Sequence, residues 1–352
     1  MSIESKNLFG TRLVQARHMR GLSLRDLEAG IQGVVSAAAL NKYERGLMTP
    51  TPQVLGAICG VLDLTEDFFE RPIRMPLGGV SFRKRSSLGA KEEKSLREHA
   101  ADFFERYAEL EEILGIGETF VNPLGDFVVR VPEDVEVAAE KMRAAWEIGT
   151  GPIPSVVGLL ESKNLMVYVD DAPPEFDGFA GKAGGRDVIA LNATFPTDRR
   201  RFTALHELGH VVLKFEGFRE KEEEGLCHRF AGAMLIPRTV FGQAFGGRRL
   251  HVALEELKRL KSLFGISCAA IMKRAATLGH VAESMMQRFW TSWTIRGYRK
   301  NDPGECKFSE RPRRFDLLLQ RAVAESRISI ARAAVLAGEP EDDFRKQLEI
   351  FP

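Results

Sequence analysis

Cysteine is scarce in this 352-residue chain, and the four that occur, Cys59, Cys227, Cys268 and Cys306, form no C-x-x-C pair. A disulfide framework is therefore not expected, and a reducing compartment suits the chain. Long apolar runs are absent too, since none approaches the roughly 20 residues that cross a bilayer. Met1 to Gly10 lacks a basic stretch followed by an apolar one, so it does not resemble a secretory signal. The expected location is the cytoplasm, with no membrane partner.

An excess of charge of either sign is also missing. The chain has 50 Lys and Arg against 49 Asp and Glu, a net charge of +1. Global attraction to nucleic acid is thereby excluded, and any DNA-binding surface must be local. Hydrophobic residues at 44% and charged residues at 28% are typical of a globular protein and exclude wholesale disorder. The length allows two or three domains, each with its own core.

The clearest motif lies in the stretch Arg201 to Leu213, RFTALHELGHVVL, which contains one H-E-x-x-H pattern formed by His206, Glu207 and His210. On a helix, positions four apart point the same way, so the two imidazoles can bind one metal ion. Neutral imidazoles suit zinc, and Glu207 can take a proton from a metal-activated water without being a ligand. A catalytic zinc has three protein ligands, so a third is expected on another element.

A second helix is predicted downstream, and it offers candidates for that third ligand. Glu224, Cys227, His228 and Ala231 would share one of its faces. Glu224 can bind the metal while His228, one turn on, supports a ligand from outside. Direct metal binding by His228 is the alternative. Cys227 is interpreted as a small buried hydrophobe, with metal binding or a response to oxidants as alternatives.

The metal motif and the following stretch, E-G-L-C-H-R-F-A-G-A-M-L-I-P, together resemble the ImmA/IrrE family of zinc-dependent peptidases. Two positions depart from the family pattern, because Leu226 replaces a frequent glutamate and His228 replaces asparagine. The resemblance implies bound zinc, with manganese as the alternative metal, and favours Glu224 as the third ligand. It also implies limited proteolysis of one protein partner, commonly a DNA-binding repressor, under stress or mobile-element control.

The first seventy residues predict five short helices. Ser23 and Ser36 would cap two of them, separated by a tight turn, which is the helix-turn-helix arrangement. The stretches G-L-S-L-R-D-L and S-A-A-A-L-N-K-Y-E-R-G resemble the Xre/Cro class over about Leu8 to Arg71. This resemblance implies an all-α DNA-binding domain.

The second helix of that motif would present its first residues to the DNA major groove. These predicted base contacts are Ser36, Ala37, Ala38 and Asn41, and the predicted phosphate contacts are Lys42, Arg45, Arg17 and Arg25. Alanine makes no bidentate hydrogen bond, so specificity would depend on Asn41 and on DNA shape. DNA binding is favoured over a pure protein-docking role.

The rest of the chain predicts a mainly α fold with a small sheet, of the α+β class. Four regions are expected: a helix-turn-helix domain at 1–72, a linker and joining helix at 73–118, a minimal zincin-like metallopeptidase domain at 119–280 and a C-terminal helical extension at 281–352. The joining helix has a homodimer interface as its alternative role. A proline- and glycine-rich linker from Arg71 to Gly79 precedes a basic stretch at 81–87. This stretch is interpreted as a solvated connector, with contact to the DNA phosphate backbone as the alternative.

A strand at Leu165 to Val169 and a hairpin around Gly184-Gly185 are predicted just before the metal helix. In zincin-type peptidases, the edge strand beside the metal helix binds the substrate backbone by strand addition. Covering the core is the simpler role for this hairpin.

The alternative to a peptidase is a transcriptional regulator, or a toxin–antitoxin component, that uses the metallopeptidase fold for sensing or docking. The intact Glu207 opposes this interpretation, because a structural zinc does not need it.

Overall fold

The computed structural model describes residues 3–73, 77–78 and 88–348. Within these ranges, 17 helices surround a small sheet, which confirms the predicted mainly α class with a small β component. The predicted basic connector at 81–87 and part of the predicted linker at 71–79 lie outside the described residues. None of the described helices is both long and apolar enough to cross a membrane.

Five helices form the N-terminal unit. They are α1 (Ile3–Met19), α2 (Leu24–Gly30), α3 (Ala37–Glu44), α4 (Pro52–Leu62) and α5 (Glu66–Glu70). The hydroxyl oxygens of Ser23 and Ser36 accept hydrogen bonds from backbone N–H groups in the first turns of α2 and α3, as predicted. Buried apolar side chains from all five helices make one core that is separate from the rest of the molecule.

Helix α6 (Ala90–Leu114) connects this unit to the remainder of the chain. Arg12 on α1 is buried and donates to the Glu105 carboxylate on α6 at 2.5 Å. The Ser95 hydroxyl of α6 donates to the Met19 carbonyl at 2.6 Å. The N-terminal unit therefore packs directly on α6, held partly by a buried ion pair.

The six strands of the described residues form two small sheets. They are β1 (Leu77–Gly78), β2 (Val128–Val129), β3 (Met166–Asp170), β4 (Gly178–Ala183), β5 (Arg186–Asn192) and β6 (Lys214–Phe215). The larger sheet has the order β1-β4-β5-β3, and β2 pairs with β6 in the smaller one. Strands β4 and β5 form the predicted antiparallel hairpin, whose turn residues Gly184 and Gly185 both have positive φ. Part of the predicted linker pairs with the edge of β4 as β1.

The larger sheet separates two cores, because alternate side chains of β3 and β5 point to opposite faces. Val167, Ile189 and Leu191 join one core with the helices that pack on this face of the sheet. Those helices are α7 (Asp134–Ala145), α8 (Val156–Ser162), α9 (Thr197–Val212), α10 (Glu220–Leu235), α11 (Arg238–Phe245), α12 (Leu254–Phe264), α13 (Cys268–Thr277) and α14 (Glu283–Ile295).

The opposite face of the sheet is covered by α6 and the last three helices. These are α15 (Arg314–Ala324), α16 (Ile330–Ala337) and α17 (Glu341–Gln347). Met166, Val188 and Ala190 of the sheet belong to this second core, together with Phe104 of α6 and Leu319 of α15. The C-terminal helices therefore complete the core under the sheet. The predicted domain boundaries remain predictions, and α14 packs with the first core through Trp293.

Candidate metal centre

Helix α9 carries the H-E-x-x-H motif through the interior of the molecule. His206 and Glu207 are each only 8% exposed. Gly209 lets α10 approach, because a Cβ at this position would lie 3.4 Å from the Cys227 side chain and from Phe230. The motif helix and the predicted second helix are thus in direct contact, as the sequence predicted.

Three donor groups converge where α9 and α10 meet. The Nε2 atoms of His206 and His210 are 3.0 Å apart. Glu224 on α10 places one carboxylate oxygen 3.3 Å from Nε2 of His206 and the other 3.4 Å from Nε2 of His210. Tetrahedral zinc with bonds of about 2.0–2.1 Å separates its ligand atoms by about 3.3–3.4 Å. Two imidazoles and a carboxylate at these separations fit such an ion without large rearrangement.

His228 lies in the same cluster. Its ring stacks on the His206 ring with centroids 4.2 Å apart, and on the Phe202 ring with centroids 5.8 Å apart. One ligand atom each from His206, Glu224 and His228 lie within 4.8 Å of one another. Glu224 is close to both motif histidines, whereas His228 stacks on the first of them. This arrangement favours Glu224 as the third ligand and His228 as a support for His206, while His228 remains near enough to replace it.

Cys227 has a polar contact that its interpretation as a buried hydrophobe did not include. The thiol is fully buried, and its Sγ lies 3.1 Å from Nδ1 of His210. When Nε2 of a histidine binds metal, the proton resides on Nδ1, which then needs an acceptor to fix the ring. Cys227 can be that acceptor. Cys227 lies three residues after Glu224 and therefore on the same face of α10, which is the sequence feature that indicates its contact with the cluster.

Buried ion pairs to neighbouring helices hold α10, and with it Glu224, in position. Arg229 of α10 donates to Glu136 of α7 at 3.0 Å, and Arg274 of α13 donates to the same carboxylate at 2.8 Å. Burial alone would raise the pKa of Glu136, but hydrogen bonds and charge from Arg274 and Arg229 outweigh it and hold the pKa below its usual value. This network ties α10 to two other helices.

A second buried network fixes α9. The Arg201 guanidinium is fully buried, pairs with the Glu310 carboxylate and donates to the Ile153 carbonyl at 2.6 Å. Glu310 also accepts from the backbone N–H groups of Val156 and Val157 at the start of α8, at 2.9 and 2.7 Å. Burial lowers the pKa of Arg201, and the Glu310 charge opposes that effect. Sequence analysis missed this pair because its members lie 109 residues apart.

The converging groups open into a cleft of about 500 Å³. His206, Glu207, His210, Glu224 and His228 all line it. Gly178 and Phe179 at the start of β4 form another part of the wall, so the predicted hairpin lies beside α9. Its role in binding a substrate backbone remains a prediction.

The predicted DNA contacts lie together on the N-terminal unit. Those on the surface are Arg25, Ser36, Ala38, Asn41, Lys42 and Arg45, whereas Ala37 is half-buried. Arg17 was wrongly predicted as a phosphate contact. It pairs with Glu44 at 2.6 Å and donates to the Leu22 carbonyl at 2.8 Å, because its side chain turns inward to tie α1 to α3.

Family models match two separate parts of the chain. Residues 162–276 match a peptidase family described as the IrrE N-terminal-like domain. Residues 13–69 match a helix-turn-helix model. These matches confirm both resemblances, and together they indicate a protein of the regulator and metallopeptidase type.

Two relatives can be compared over part of their lengths. The propionyl-CoA carboxylase regulator of Cereibacter sphaeroides is 28% identical over 195 residues, which are 49% of this chain and 40% of that protein. The radiation response metalloprotease IrrE of Deinococcus radiodurans is 27% identical over 132 residues, or 33% of this chain and 39% of that protein. The chain thus spans about two fifths of the length of these relatives.

Proposed function

Because the chain carries a helix-turn-helix domain and an IrrE-like domain of the metallopeptidase type, we propose that it is a zinc-dependent endopeptidase of narrow specificity. Its substrate would be one regulatory protein, such as a DNA-binding repressor, in a stress or mobile-element response. The convergence of His206, His210 and Glu224 beside Glu207 carries this proposal. The name of the Deinococcus relative, a radiation response metalloprotease, supports the same direction.

His206, His210 and Glu224 would hold the metal. Zinc bound by them would supply a Lewis acid that polarises a peptide carbonyl and makes water more acidic. Two nitrogen donors and one carboxylate are a donor set of catalytic zinc sites, and manganese would favour more oxygen ligands. Cys227 would keep the His210 ring in place through the contact at Nδ1.

Glu207 would move the proton. Its carboxylate lines the cleft together with His206, His210 and Glu224. It would accept a proton from the attacking water and deliver it to the leaving amine nitrogen, which is general base and then general acid catalysis. The substrate backbone would lie along β4, which passes beside α9 at Gly178 and Thr203.

Glu207→Gln tests the proposal most directly. Candidate repressors would be incubated with the zinc-loaded protein, and fragments would be identified by mass spectrometry. Loss of general base catalysis should slow cleavage by roughly 10²- to 10⁴-fold while zinc content stays near one equivalent. Glu223→Gln is the matched control, because Glu223 precedes Glu224 in the sequence but does not line the cleft. This variant should cleave the substrate at the wild-type rate. Cleavage by Glu207→Gln at the wild-type rate would sink the mechanism.

Metal analysis of His206→Ala and Glu224→Ala tests the ligands. Both variants should lose zinc that the wild type retains. Retention of zinc by Glu224→Ala, but not by a Glu224→Ala, His228→Ala double variant, would move the third ligand to His228.

A transcriptional regulator that uses the peptidase fold for sensing is the second candidate. The exposure of Asn41 and Lys42 on α3 and of Arg45 at the C-cap of that helix favours it. In this case Glu207→Gln would leave operator binding and the cellular phenotype unchanged. A toxin would instead cause growth arrest that depends on Glu207.

A further inference from the structure

Asn192 is the last residue of β5, and its polar side chain is entirely buried. Strand β5 pairs in parallel with β3, which brings Asn192 beside Asp170, where β3 ends. The chain leaves the sheet at this point through residues 171–177, called here the β3–β4 segment, and returns to it as β4. A buried amide needs hydrogen-bond partners for both its oxygen and its nitrogen. The contacts of Asn192 therefore show which neighbouring part of the chain it holds.

The amide nitrogen of Asn192 is directed at the β3–β4 segment. Nδ2 donates to the carbonyl oxygens of Ala172 and Pro173 at 3.0 Å each, and to that of Phe176 at 2.8 Å. The other end fixes the orientation of the amide, because Oδ1 accepts from the backbone N–H groups of Ala172 and Thr194 at 3.3 and 2.9 Å. One side chain thus gathers three carbonyls of a segment whose two prolines have no N–H to donate to them.

The β3–β4 segment is also part of the cleft wall. Its residues Glu175, Phe176 and Asp177 line the cleft together with the candidate metal ligands. Asn192 is not among the described residues that line the cleft. Any influence of Asn192 on a bound molecule must therefore pass through the segment that it holds.

The end of the segment next to β4 is held by other contacts as well. Asp177 forms an ion pair with Arg199 of α9, and its carbonyl oxygen accepts from the Asn192 backbone N–H at 3.1 Å. At Gly178, the first residue of β4, an added Cβ would lie 2.7 Å from the Ala190 carbonyl oxygen. This end is thus pressed against β5 and α9, whereas the part between the strands depends on the Asn192 amide.

We propose that Asn192 is a positioning residue for the substrate, because it holds the β3–β4 segment in the shape that a bound peptide meets. The inference rests on the proposed function for the identity of the bound molecule. Without the amide donors, the three carbonyls would turn towards water, and the segment would have to be ordered again each time a peptide binds. Glu207 and the candidate metal ligands lie on α9 and α10, outside the segment. The effect of Asn192 is therefore on substrate binding and not on the bond-breaking step.

Asn192→Asp in the full-length, zinc-loaded protein tests the proposal, because it keeps the size of the side chain and replaces its donors by an oxygen that repels the carbonyls. Hydrogen exchange followed by mass spectrometry should show about tenfold faster exchange at 175–177, with little change in α9 and α10. The KM for a repressor that the wild type cleaves should rise roughly tenfold, while kcat and zinc affinity stay near the wild-type values. Asn192→Ala removes the same donors without adding charge and replaces Asn192→Asp if that variant does not fold.

Two control variants separate this role from others. Asn301→Asp makes the same chemical change at an exposed position outside the cleft lining, and it should leave exchange, KM and kcat at the wild-type values. Thr194→Val removes the hydroxyl that donates to Oδ1 of Asn192 at 2.7 Å but keeps the contacts of Nδ2. It should also leave KM unchanged.

Three results would overturn the proposal: an unchanged KM, a lower kcat at unchanged KM, or faster exchange spread over the whole molecule. The first would mean that the segment does not meet the substrate, the second that Asn192 acts through α9, and the third that it serves stability alone. If the wild type cleaves no candidate repressor, the peptidase function fails. Exchange at 175–177 then still decides whether Asn192 holds the wall, and unchanged exchange there rejects this inference independently.

Discussion

The candidate metal centre and the predicted DNA surface are constructed in opposite ways. The DNA surface lies between residues 25 and 45, and nearly all of its predicted side chains are exposed. The candidate metal centre joins two helices, and its supports include a residue as distant as Glu310. A surface that is continuous in sequence can be recognised from a motif alone. A buried site also depends on partners that no motif contains, and these partners should be its most sensitive points.

Glu310→Gln should give the largest effect, because it leaves the fully buried Arg201 without its charge partner. Breaking one partner of a buried ion pair typically costs about 3–5 kcal/mol. We expect a loss of that order in the free energy of unfolding, measured with denaturant. Glu305→Gln lies in the same segment but is exposed, and it should change stability by less than about 0.5 kcal/mol. Equal stability of the two variants would show that the distant support is unimportant.

Cys227→Ala should weaken the metal centre without dismantling it. Loss of the acceptor at Nδ1 of His210 frees that ring, and such outer partners are typically worth about 10- to 100-fold in metal affinity. Competition with a chromophoric chelator would measure zinc affinity. Cys268→Ala is the matched control, since Cys268 is also buried but contacts the Pro303 carbonyl. If both variants bind zinc equally well, Cys227 has only a packing role.

These contrasts show how far the sequence could predict the molecule. The helix period predicted His206 and His210 on one face, and the same reasoning predicted Glu224 on a second helix. The convergence of these three side chains therefore followed from local rules. The hairpin also followed, because Gly184-Gly185 supplies the positive φ that a tight turn needs.

Other features could not be predicted, for reasons that are also physical. Burial of Arg201 against Glu310 depends on how the C-terminal segment returns to α8 and α9, which no local pattern encodes. The inward turn of Arg17 reflects the position of Glu44, 27 residues away. The pairing of β1 with β4 is only two residues long, too short for a recognisable strand pattern.

Asn41→Ala should change the DNA surface while leaving the metal centre intact. If Asn41 makes a bidentate contact with adenine, its loss should cost about 1–3 kcal/mol at one operator position and relax specificity there. Lys42→Ala is the comparison, because loss of a phosphate contact weakens binding to all sequences and reduces the salt slope by about one. Binding of each variant to a fluorescently labelled DNA fragment from the promoter of its own gene would be measured by anisotropy at several salt concentrations. If the two variants show the same loss of affinity for all DNA sequences and the same salt slope, Asn41 does not contact a base.

His18 offers the smallest expected effect and tests whether the N-terminal unit also depends on a distant partner. Burial, followed by the charges of Arg17 and of Lys94 on α6, lowers the pKa of His18 from 6.5 to about 4. The unfolded state therefore binds more protons between these two values, so stability should be complete above pH 6.5 and fall as the pH drops towards 4. The loss should be modest, since the side chain is only half-buried. In His18→Gln, the pH dependence of the unfolding free energy should flatten in this window, whereas the exposed His251→Gln should retain it. An unchanged curve for His18→Gln would mean that the contact between α1 and α6 does not disfavour the charged imidazole.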